Sequence, residues 1–188
     1  MNVIRFIQEY MRHPRAVGAV MPSSKTLAKR MVKPIPFDKI TGIIEYGPGT
    51  GVFTEQIIQN KRKDTVFLAI EANEPFYKIL KKKYEHVENV HIIHGSAEDV
   101  DHYIKQYSLS KVDYIVSGLP FTSLPRSVST RILEKTASLL GKKGKFITFQ
   151  YAKVKRSFFR AFFNTIHYEK VYKNVPPAYV FICDNEGA

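Results

Sequence analysis

The chain of 188 residues has the length of one folded domain with a full core, and its 44% hydrophobic and 13% aromatic content excludes a disordered protein. No apolar run approaches the roughly 20 residues of a membrane span. The N-terminus lacks the apolar core of a secretory signal, and the one cysteine excludes an internal disulfide, so we expect a cytoplasmic protein. The formal net charge of +12 indicates a polyanionic partner, either nucleic acid or an anionic lipid surface, unless it serves solubility alone.

Residues 1–13 carry apolar side chains at helical spacing, with polar side chains on the opposite side. Pro14 ends the predicted helix, because the residue before a proline avoids the helical region. One interpretation is a helix that docks its apolar side on the domain. The alternative is a helix that lies in a membrane interface.

Residues 18–31 contain a second predicted helix, which either Ser23 or Ser24 can cap. Four basic residues form a cluster in or next to it: Lys25, Lys29, Arg30 and Lys33. Pro34 and Pro36 then break the chain. We therefore expect a helical extension over 1–36 on the substrate or membrane side, followed by the main domain over 37–188.

From residue 41 onward, apolar runs that are typical of strands alternate with helical patterns. The predicted strands are 42–46, 66–70, 90–94, 112–117, 144–151, 168–173 and 178–183. The predicted helices are 52–60, 74–84, 97–106, 125–140 and 153–164. Near-continuous apolar strands and this alternation predict an α/β fold with a doubly wound, mostly parallel sheet. No helix separates the last two strands, which indicates a hairpin and hence one antiparallel strand.

The first predicted strand ends in Glu45 and Tyr46 and runs into three alternating glycines, Gly47, Gly49 and Gly51. A turn without Cβ atoms at the start of a helix lets a ligand lie against bare backbone amides. The spacing GxGxG, with the acid before it, resembles motif I of class I S-adenosylmethionine (SAM)-dependent methyltransferases. Thr50 belongs to the same predicted cofactor loop, and Glu45 is expected to bind the ammonium of the SAM amino-acid tail, directly or through water.

Glu71 ends the second predicted strand, 20 residues after Gly51. A carboxylate accepts two hydrogen bonds, which matches the two hydroxyls of a ribose. Glu71 and its neighbour Ala72 are therefore predicted to bind the sugar of the cofactor. Asn73 is predicted to cap the following helix.

The third predicted strand is followed by Gly95, Ser96 and Ala97. In the class I family this turn lies against the adenine, and many members place an acid where this chain has Ser96. A serine is a weaker acceptor for the adenine amino group. We predict adenine contacts at Ser96 and at the backbone of Ala97.

The fourth predicted strand closes with Ser117, Gly118, Leu119, Pro120 and Phe121, in the place of motif IV of amino-methyltransferases. Adenine N6 enzymes begin that motif with Asn or Asp, whereas this chain has serine, which cannot match the edge of an amide. These five residues are the predicted catalytic set, and Ser117 is also a predicted cofactor contact. The alternative is a simple strand-ending turn set by Gly118 and Pro120.

Four stretches together resemble bacterial phospholipid N-methyltransferases, which are related to the rRNA adenine dimethylases: GAVMPSS at 18–24, EYGPGTGVFT at 45–54, SGLP at 117–120 and FQY at 149–151. The resemblance implies a Rossmann-like seven-stranded sheet with the last strand antiparallel. It also implies methyl transfer from SAM to the amine of phosphatidylethanolamine, with a helical N-terminus that touches the inner face of the membrane. No metal is implied.

Within this hypothesis the Ser117 hydroxyl and the Gly118 carbonyl position the acceptor amine, and the Phe121 ring stabilises a methylated ammonium. Tyr10 and Tyr151 are further candidate substrate contacts. Three basic residues of the cluster are candidates for holding the lipid phosphate: Lys25, Lys29 and Arg30.

Two other functions remain open at this stage. The positive charge and the family relation favour an rRNA or other nucleic-acid adenine methyltransferase, although Ser117 and the absence of a helical domain after the last strand speak against it. The third interpretation is a SAM-binding protein without catalysis. The acceptor, the number of methyl groups transferred and the oligomeric state are not determined by the sequence.

Overall fold

The computed structural model describes residues 24–121, 123–151, 156–172, 174 and 177–186. Its strands are β1 (Gly42–Tyr46), β2 (Val66–Glu71), β3 (Val90–His94), β4 (Tyr114–Ser117), β5 (Lys145–Gln150), β6 (Thr165–Val171) and β7 (Ala178–Asp184). Its α-helices are α1 (Lys25–Val32), α2 (Val52–Asn60), α3 (Glu74–Tyr84), α4 (Val100–Gln106), α5 (Arg126–Leu140) and α6 (Arg156–Arg160), with a 3₁₀ helix over Ala97–Asp99. The predicted helix over 1–13, Tyr10 and Ser23 lie outside the described residues.

The seven strands form one sheet in the order β3-β2-β1-β4-β5-β7-β6. The first five strands are parallel, while β7 runs antiparallel to both β5 and β6. The predicted Rossmann-like sheet with a reversed last strand is therefore confirmed. Because β1, β2 and β4 are parallel, their carboxyl ends share one edge of the sheet, which we call the carboxyl edge. The strand order reverses its direction beside β1. Ligands of such sheets bind outside this edge.

Helices cover both faces of the sheet, because most strands are apolar on both sides. One face packs against α1, α2 and α3 through the residues Leu27, Met31, Phe53, Ile57 and Leu80. The other face packs against the 3₁₀ helix, α4, α5 and α6 through Ala97, Val100, Ile132, Leu133, Phe159 and Phe163. The core thus holds the strand ends rigidly at the carboxyl edge.

Helix α1 begins at the carboxyl edge. Ser24 caps it, since its Oγ accepts a 3.1 Å hydrogen bond from the Leu27 amide. The Ser24 amide in turn donates to Oδ1 of Asn174, 3.2 Å away in the connection between β6 and β7. Although α1 lies within the predicted extension over 1–36, its buried side chains pack on the sheet, and the two-part division of the chain stays a prediction.

The helix and strand bounds differ from the predicted ones mainly near the C-terminus. Strand β6 begins at Thr165, three residues before the predicted start. It is an edge strand whose middle residues are exposed, so it lacks the apolar run by which the other strands were found. Within the predicted helix over 153–164, the described helix ends at Arg160, and Phe163 beyond it is buried against Phe146.

Two kinds of feature that bear on broad function are absent from the described residues. No helix in the described ranges is long and apolar enough to cross a bilayer. In the same part of the chain, no three His, Cys, Asp or Glu side chains come together as a metal-binding group.

Candidate active site

The glycine loop turns the chain from β1 into α2 at the carboxyl edge. Gly47, Gly49 and Gly51 have φ angles of +62°, +55° and +81°, a backbone region that glycine adopts without steric cost. The Gly47 amide donates to the Ile70 carbonyl at 2.9 Å, which ties the loop to the end of β2. Thr50 is exposed at the outside of this turn. The loop therefore presents backbone, not side chains, towards the space beyond β1.

Glu45 lies in β1, two residues before the first glycine of this loop, with its side chain fully buried. Its Oε2 accepts a 2.7 Å hydrogen bond from the Thr54 hydroxyl on the first turn of α2. Its Oε1 is buried and has no hydrogen-bond partner among the residues that the structure describes. Burial raises the pKa of this carboxyl from 4.5 to about 8, against the lowering effect of the Thr54 hydrogen bond, and the nearby Glu71 raises it further. A buried acceptor without a donor is costly, so it indicates a site for a positively charged or hydrogen-bond-donating ligand group.

Glu71 holds the glycine loop in place, a role that the sequence did not reveal. Its Oε2 accepts from the Gly49 amide at 2.8 Å and its Oε1 from the Asn73 amide at 2.7 Å. Burial raises its pKa, and the backbone hydrogen bonds oppose that shift. Each carboxylate oxygen can accept a further hydrogen bond, so the predicted ribose contact stays compatible with this arrangement. Asn73 caps α3 as predicted, with its Oδ1 accepting from the Phe76 amide at 3.2 Å.

A pocket opens next to the Glu71 carboxyl group. It is lined by Gly47, Ile70, Glu71, Ala72, Gly95, Ser96, Ala97, Leu119 and Ile132. The structure thus brings together five of the predicted cofactor residues, from three separate strand ends, around one cavity. Ile70, Gly95 and Ile132 were missed, and Leu119 was assigned only to catalysis. Ser96 also caps the 3₁₀ helix, because its Oγ accepts from the Glu98 amide at 3.2 Å.

The turn after β4, which carries the predicted catalytic set, packs directly on the glycine loop. The Gly118 amide donates to the Tyr46 carbonyl at 2.8 Å. A Cβ at Gly118 would stand 2.6 Å from the Gly47 carbonyl oxygen, so only glycine allows this approach. The Ser117 side chain is fully buried, and its Oγ accepts from the Leu119 amide at 3.1 Å. The Ser117 hydroxyl therefore shapes the turn. Ser117 was predicted as a cofactor contact, but it is not among the residues that line the pocket.

Phe121 likewise differs from expectation. Its side chain is 3% exposed, and its ring packs edge-to-face on Phe146 and Phe159 at centroid distances of 5.9 and 6.1 Å. These partners come from β5 and α6, which the sequence could not place beside it. The ring is therefore packed in the core, and its contact with a methylated ammonium stays a prediction. Gly118 and Pro120 are the partly exposed members of the turn.

The predicted substrate contacts lie on the side of the site towards β5. Lys25 and Lys29 are exposed on α1, whereas the Arg30 guanidinium pairs with Glu169 of β6 at 3.2 Å. Tyr151 follows β5 directly, partly buried, with its ring 5.4 Å from the ring of Phe149. Arg30 is thus held towards the edge strand and away from the pocket.

These residues fit SAM. The cofactor has two positively charged groups, a sulfonium and an ammonium. Glu45 and Glu71 are buried carboxyl groups with raised pKa values at one edge of the sheet, and a nearby positive charge would stabilise their ionised forms. The unpartnered Oε1 of Glu45 matches the ammonium. The pocket lined by Glu71, Ala72 and Ser96 lies beside the glycine loop, at the carboxyl ends of the strands, where the adenosine of the cofactor is expected to bind.

Comparisons with known proteins agree with this geometry. The family model for ribosomal RNA adenine dimethylases matches residues 19–163. An ornithine lipid N-methyltransferase from Singulisphaera acidiphila is 27% identical over 180 residues, which cover 95% of this chain and 93% of that protein. The ribosomal RNA small subunit methyltransferase A of Mycoplasma mycoides is 32% identical over 133 residues, 69% of this chain. The chain aligns with 46% of the length of that rRNA enzyme.

Solved structures show the same fold. A SAM-dependent methyltransferase from Anabaena variabilis superposes with a TM-score of 0.68 at 11% identity, over 99% of this chain and 96% of that one. The N-methyltransferase NodS from Bradyrhizobium japonicum, solved with S-adenosylhomocysteine (SAH), gives a TM-score of 0.65 at 10% identity, over 95% of this chain and 98% of that one. The chain belongs to the ribosomal RNA adenine dimethylase family and is a SAM-dependent methyltransferase with a Rossmann-like fold.

Proposed function

We propose that the protein methylates the primary amine of a membrane lipid of the phosphatidylethanolamine type. The observation that carries this proposal is the similarity to an ornithine lipid N-methyltransferase along nearly the whole of both chains. The rRNA methyltransferases, in contrast, share only about half of their length with this chain. The lipid acceptor also agrees with Ser117 in the position where adenine N6 enzymes have Asn or Asp.

The backbone of the turn after β4 is the proposed acceptor site. SAM, when bound, supplies the methyl group on its sulfonium. The Gly118 carbonyl accepts one hydrogen of the neutral amine, which leaves the nitrogen lone pair to form the new N–C bond while the S–C bond breaks. The surplus proton then leaves to water. Ser117 keeps this carbonyl in position through its hydrogen bond to the Leu119 amide.

Side chains around the turn would bind and enclose the substrate. Leu119 lines the pocket and Pro120 is partly exposed, so both can form its apolar wall. Lys25 and Lys29 are exposed on α1 and available for a lipid phosphate, while Arg30 is already paired. Tyr151, directly after β5, is a further proposed contact. Tyr10 remains a proposed contact outside the described residues.

A peripheral position on an anionic membrane face follows from this proposal. A lipid amine is presented only at a membrane surface, and a net charge of +12 favours approach to anionic headgroups. The helix predicted for residues 1–13 is the proposed anchor. Chain 1–23 joins the domain at Ser24, which lies at the carboxyl edge where the site opens.

The second candidate function is methylation of adenine in rRNA. It is favoured by the family match over residues 19–163 and by the positive charge. The two functions differ in the acceptor alone, because both use the same cofactor pocket.

A labelled-methyl transfer assay separates the two candidates. The full chain is incubated with labelled SAM and, in parallel, with phosphatidylethanolamine vesicles, ornithine lipid vesicles and ribosomal RNA. We expect label in phosphatidylethanolamine and its absence with the variant Glu45→Ala, which removes the proposed ammonium contact. Label in ornithine lipid alone would correct the headgroup, and label in RNA alone would overturn the proposal.

A further inference from the structure

The edge strand β6 carries an exposed row of tyrosine and lysine side chains. Tyr168, Lys170 and Tyr172 stand at alternating positions, which puts them on one face. Tyr168 is 50% and Tyr172 73% exposed, and the Lys170 ammonium lies 4.6 Å from the centre of the Tyr172 ring. Lys170 lies at the end of β6 and Tyr172 directly after it, and we call these two residues the hairpin tip.

The strand register puts Lys170 level with the turn after β4, which we call the acceptor turn, and puts Tyr172 beyond it. On β4 and β5, Ser117 pairs with Thr148, so Gln150 stands level with Leu119. The side-chain Nε2 of Gln150 donates to the Leu119 carbonyl at 3.5 Å. Gln150 pairs with Tyr179 on β7, and the preceding residue Ala178 pairs with Val171. Tyr172 therefore stands two residues, or about 7 Å, further out than the acceptor turn.

The hairpin tip is also close to the site laterally. In the sheet order, β6 is three strands away from β4. At the usual spacing of neighbouring strands this is about 14 Å. Tyr172 is therefore near enough to the acceptor turn to contact a flat surface that delivers a headgroup there.

The chemistry of the tip matches a lipid interface. Tyrosine combines an apolar ring with a polar hydroxyl and is enriched at the headgroup level of membranes. Lysine beside it is attracted to anionic lipids. The one acidic residue in the middle of β6, Glu169, points to the other face and pairs with Arg30.

Asn174, two residues after Tyr172, is attached to the domain. Asn174 is 2% exposed, and its side chain accepts the hydrogen bond from the Ser24 amide at the start of α1. The tip is thus fixed relative to the helix that carries Lys25 and Lys29. A contact at the tip would orient the whole carboxyl edge.

We propose that the hairpin tip formed by Lys170 and Tyr172 is a contact with an anionic lipid surface that holds the acceptor turn at headgroup level. This inference rests on the proposed lipid acceptor. It adds a second contact on the described domain, separate from the predicted N-terminal helix.

The test measures binding of the full chain to vesicles of phosphatidylcholine and phosphatidylglycerol, which lack the substrate amine. The variants are Tyr172→Ala and Lys170→Gln, with Tyr168→Ala as the matched control on the same strand and face but further from the tip. SAH binding by calorimetry reports the folded cofactor site in every variant. We expect Lys170→Gln to lower vesicle affinity about fivefold, Tyr172→Ala to lower it as well, and Tyr168→Ala to leave it unchanged.

The outcomes test the membrane contact of the hairpin tip separately from the proposed lipid acceptor. Unchanged vesicle binding by both tip variants, or an equal loss in Tyr168→Ala, overturns the tip as a membrane contact. A loss of RNA binding instead of vesicle binding in Tyr172→Ala also overturns it. If the tip variants lose vesicle binding but no lipid amine is methylated by the unmodified protein, the surface stands and the proposed acceptor fails.

Discussion

The Thr54 hydroxyl donates a 2.7 Å hydrogen bond to one carboxylate oxygen of Glu45, and the other oxygen is buried without a partner among the described residues. The two residues belong to different elements, since Glu45 is in β1 and Thr54 in the first turn of α2. The glycine loop between them allows the chain to turn back for this contact. Thr54 thus orients the acid whose other oxygen we propose as the contact for the ammonium of the cofactor.

Binding of SAH should release a proton from Glu45. The carboxyl has a pKa of about 8 in the protein alone, so it is largely protonated at pH 7, and the ammonium of the ligand favours its ionised form. Calorimetry at pH 7 in buffers of different ionisation enthalpy should show release approaching about one proton per SAH. Glu45→Gln, which cannot ionise, should bind more weakly and release none. Equal proton release in both proteins would contradict this role.

The same carboxyl should make the stability of the ligand-free protein depend on pH. Below pH 4.5 Glu45 is protonated in both the folded and the unfolded state, so ionisation favours neither. As the pH rises from 4.5 to about 8, only the unfolded state ionises, and the free energy of unfolding falls. Each unit of pKa difference corresponds to about 1.4 kcal/mol.

Urea unfolding at a series of pH values measures this effect. The difference in stability between Glu45→Gln and the unmodified protein should grow in favour of the variant across this range and then stay constant. A difference that does not change with pH would show that Glu45 is ionised in the folded protein.

Thr54→Val should weaken SAH binding with little effect on the turnover of bound cofactor. Valine has nearly the shape of threonine but cannot donate to Glu45, and hydrogen bonds to charged groups contribute about 1.5–3 kcal/mol. We therefore expect SAH affinity to fall by about ten- to a hundredfold. Thr54→Ser keeps the hydroxyl and serves as the control, which should bind almost normally. If serine is as damaging as valine, the packing of the methyl group matters and the hydrogen bond does not.

Local sequence pattern was sufficient for most of the fold. The strands of the parallel part are nearly continuous apolar runs, such as Ile43 and Ile44 in β1, because both of their faces are covered. Strand β6 was placed too late in the chain, since an exposed edge strand with Tyr168 and Glu169 in its middle has no such run. The order of β7 and β6 in the sheet depends on which strands pair with each other, and a local sequence pattern does not reveal that pairing.

Sequence motifs identified several residues of the candidate site, but they did not reveal what each side chain contacts. Glu45 stands out because it directly precedes the glycine loop in the pattern of motif I, and Glu71 because it ends the next strand, 20 residues after Gly51. The hydrogen bond from Gly49 to Glu71 spans 22 residues of sequence and could not be seen in either motif. Phe121 was assigned to the substrate because its core partners, Phe146 and Phe159, come from later elements.

Gly118→Ala should abolish most of the methyl transfer. The added Cβ would stand 2.6 Å from the Gly47 carbonyl oxygen, and this neighbour is backbone of the cofactor loop that cannot rotate away. The acceptor turn and the loop must therefore move apart. Because misplacement of reacting groups by about 1 Å can cost a hundredfold in rate, we expect a loss of about that size in kcat.

Ser123→Ala provides the control for Gly118→Ala, because Ser123 is partly exposed in the same connection between β4 and α5. It should retain normal transfer, and both variants should remain folded by circular dichroism. SAH affinity, measured alongside, should also fall in Gly118→Ala because the loop is displaced. Full turnover with Gly118→Ala would mean that the close contact between Gly118 and Gly47 has no part in aligning acceptor and cofactor, and the acceptor site would have to lie elsewhere on the carboxyl edge.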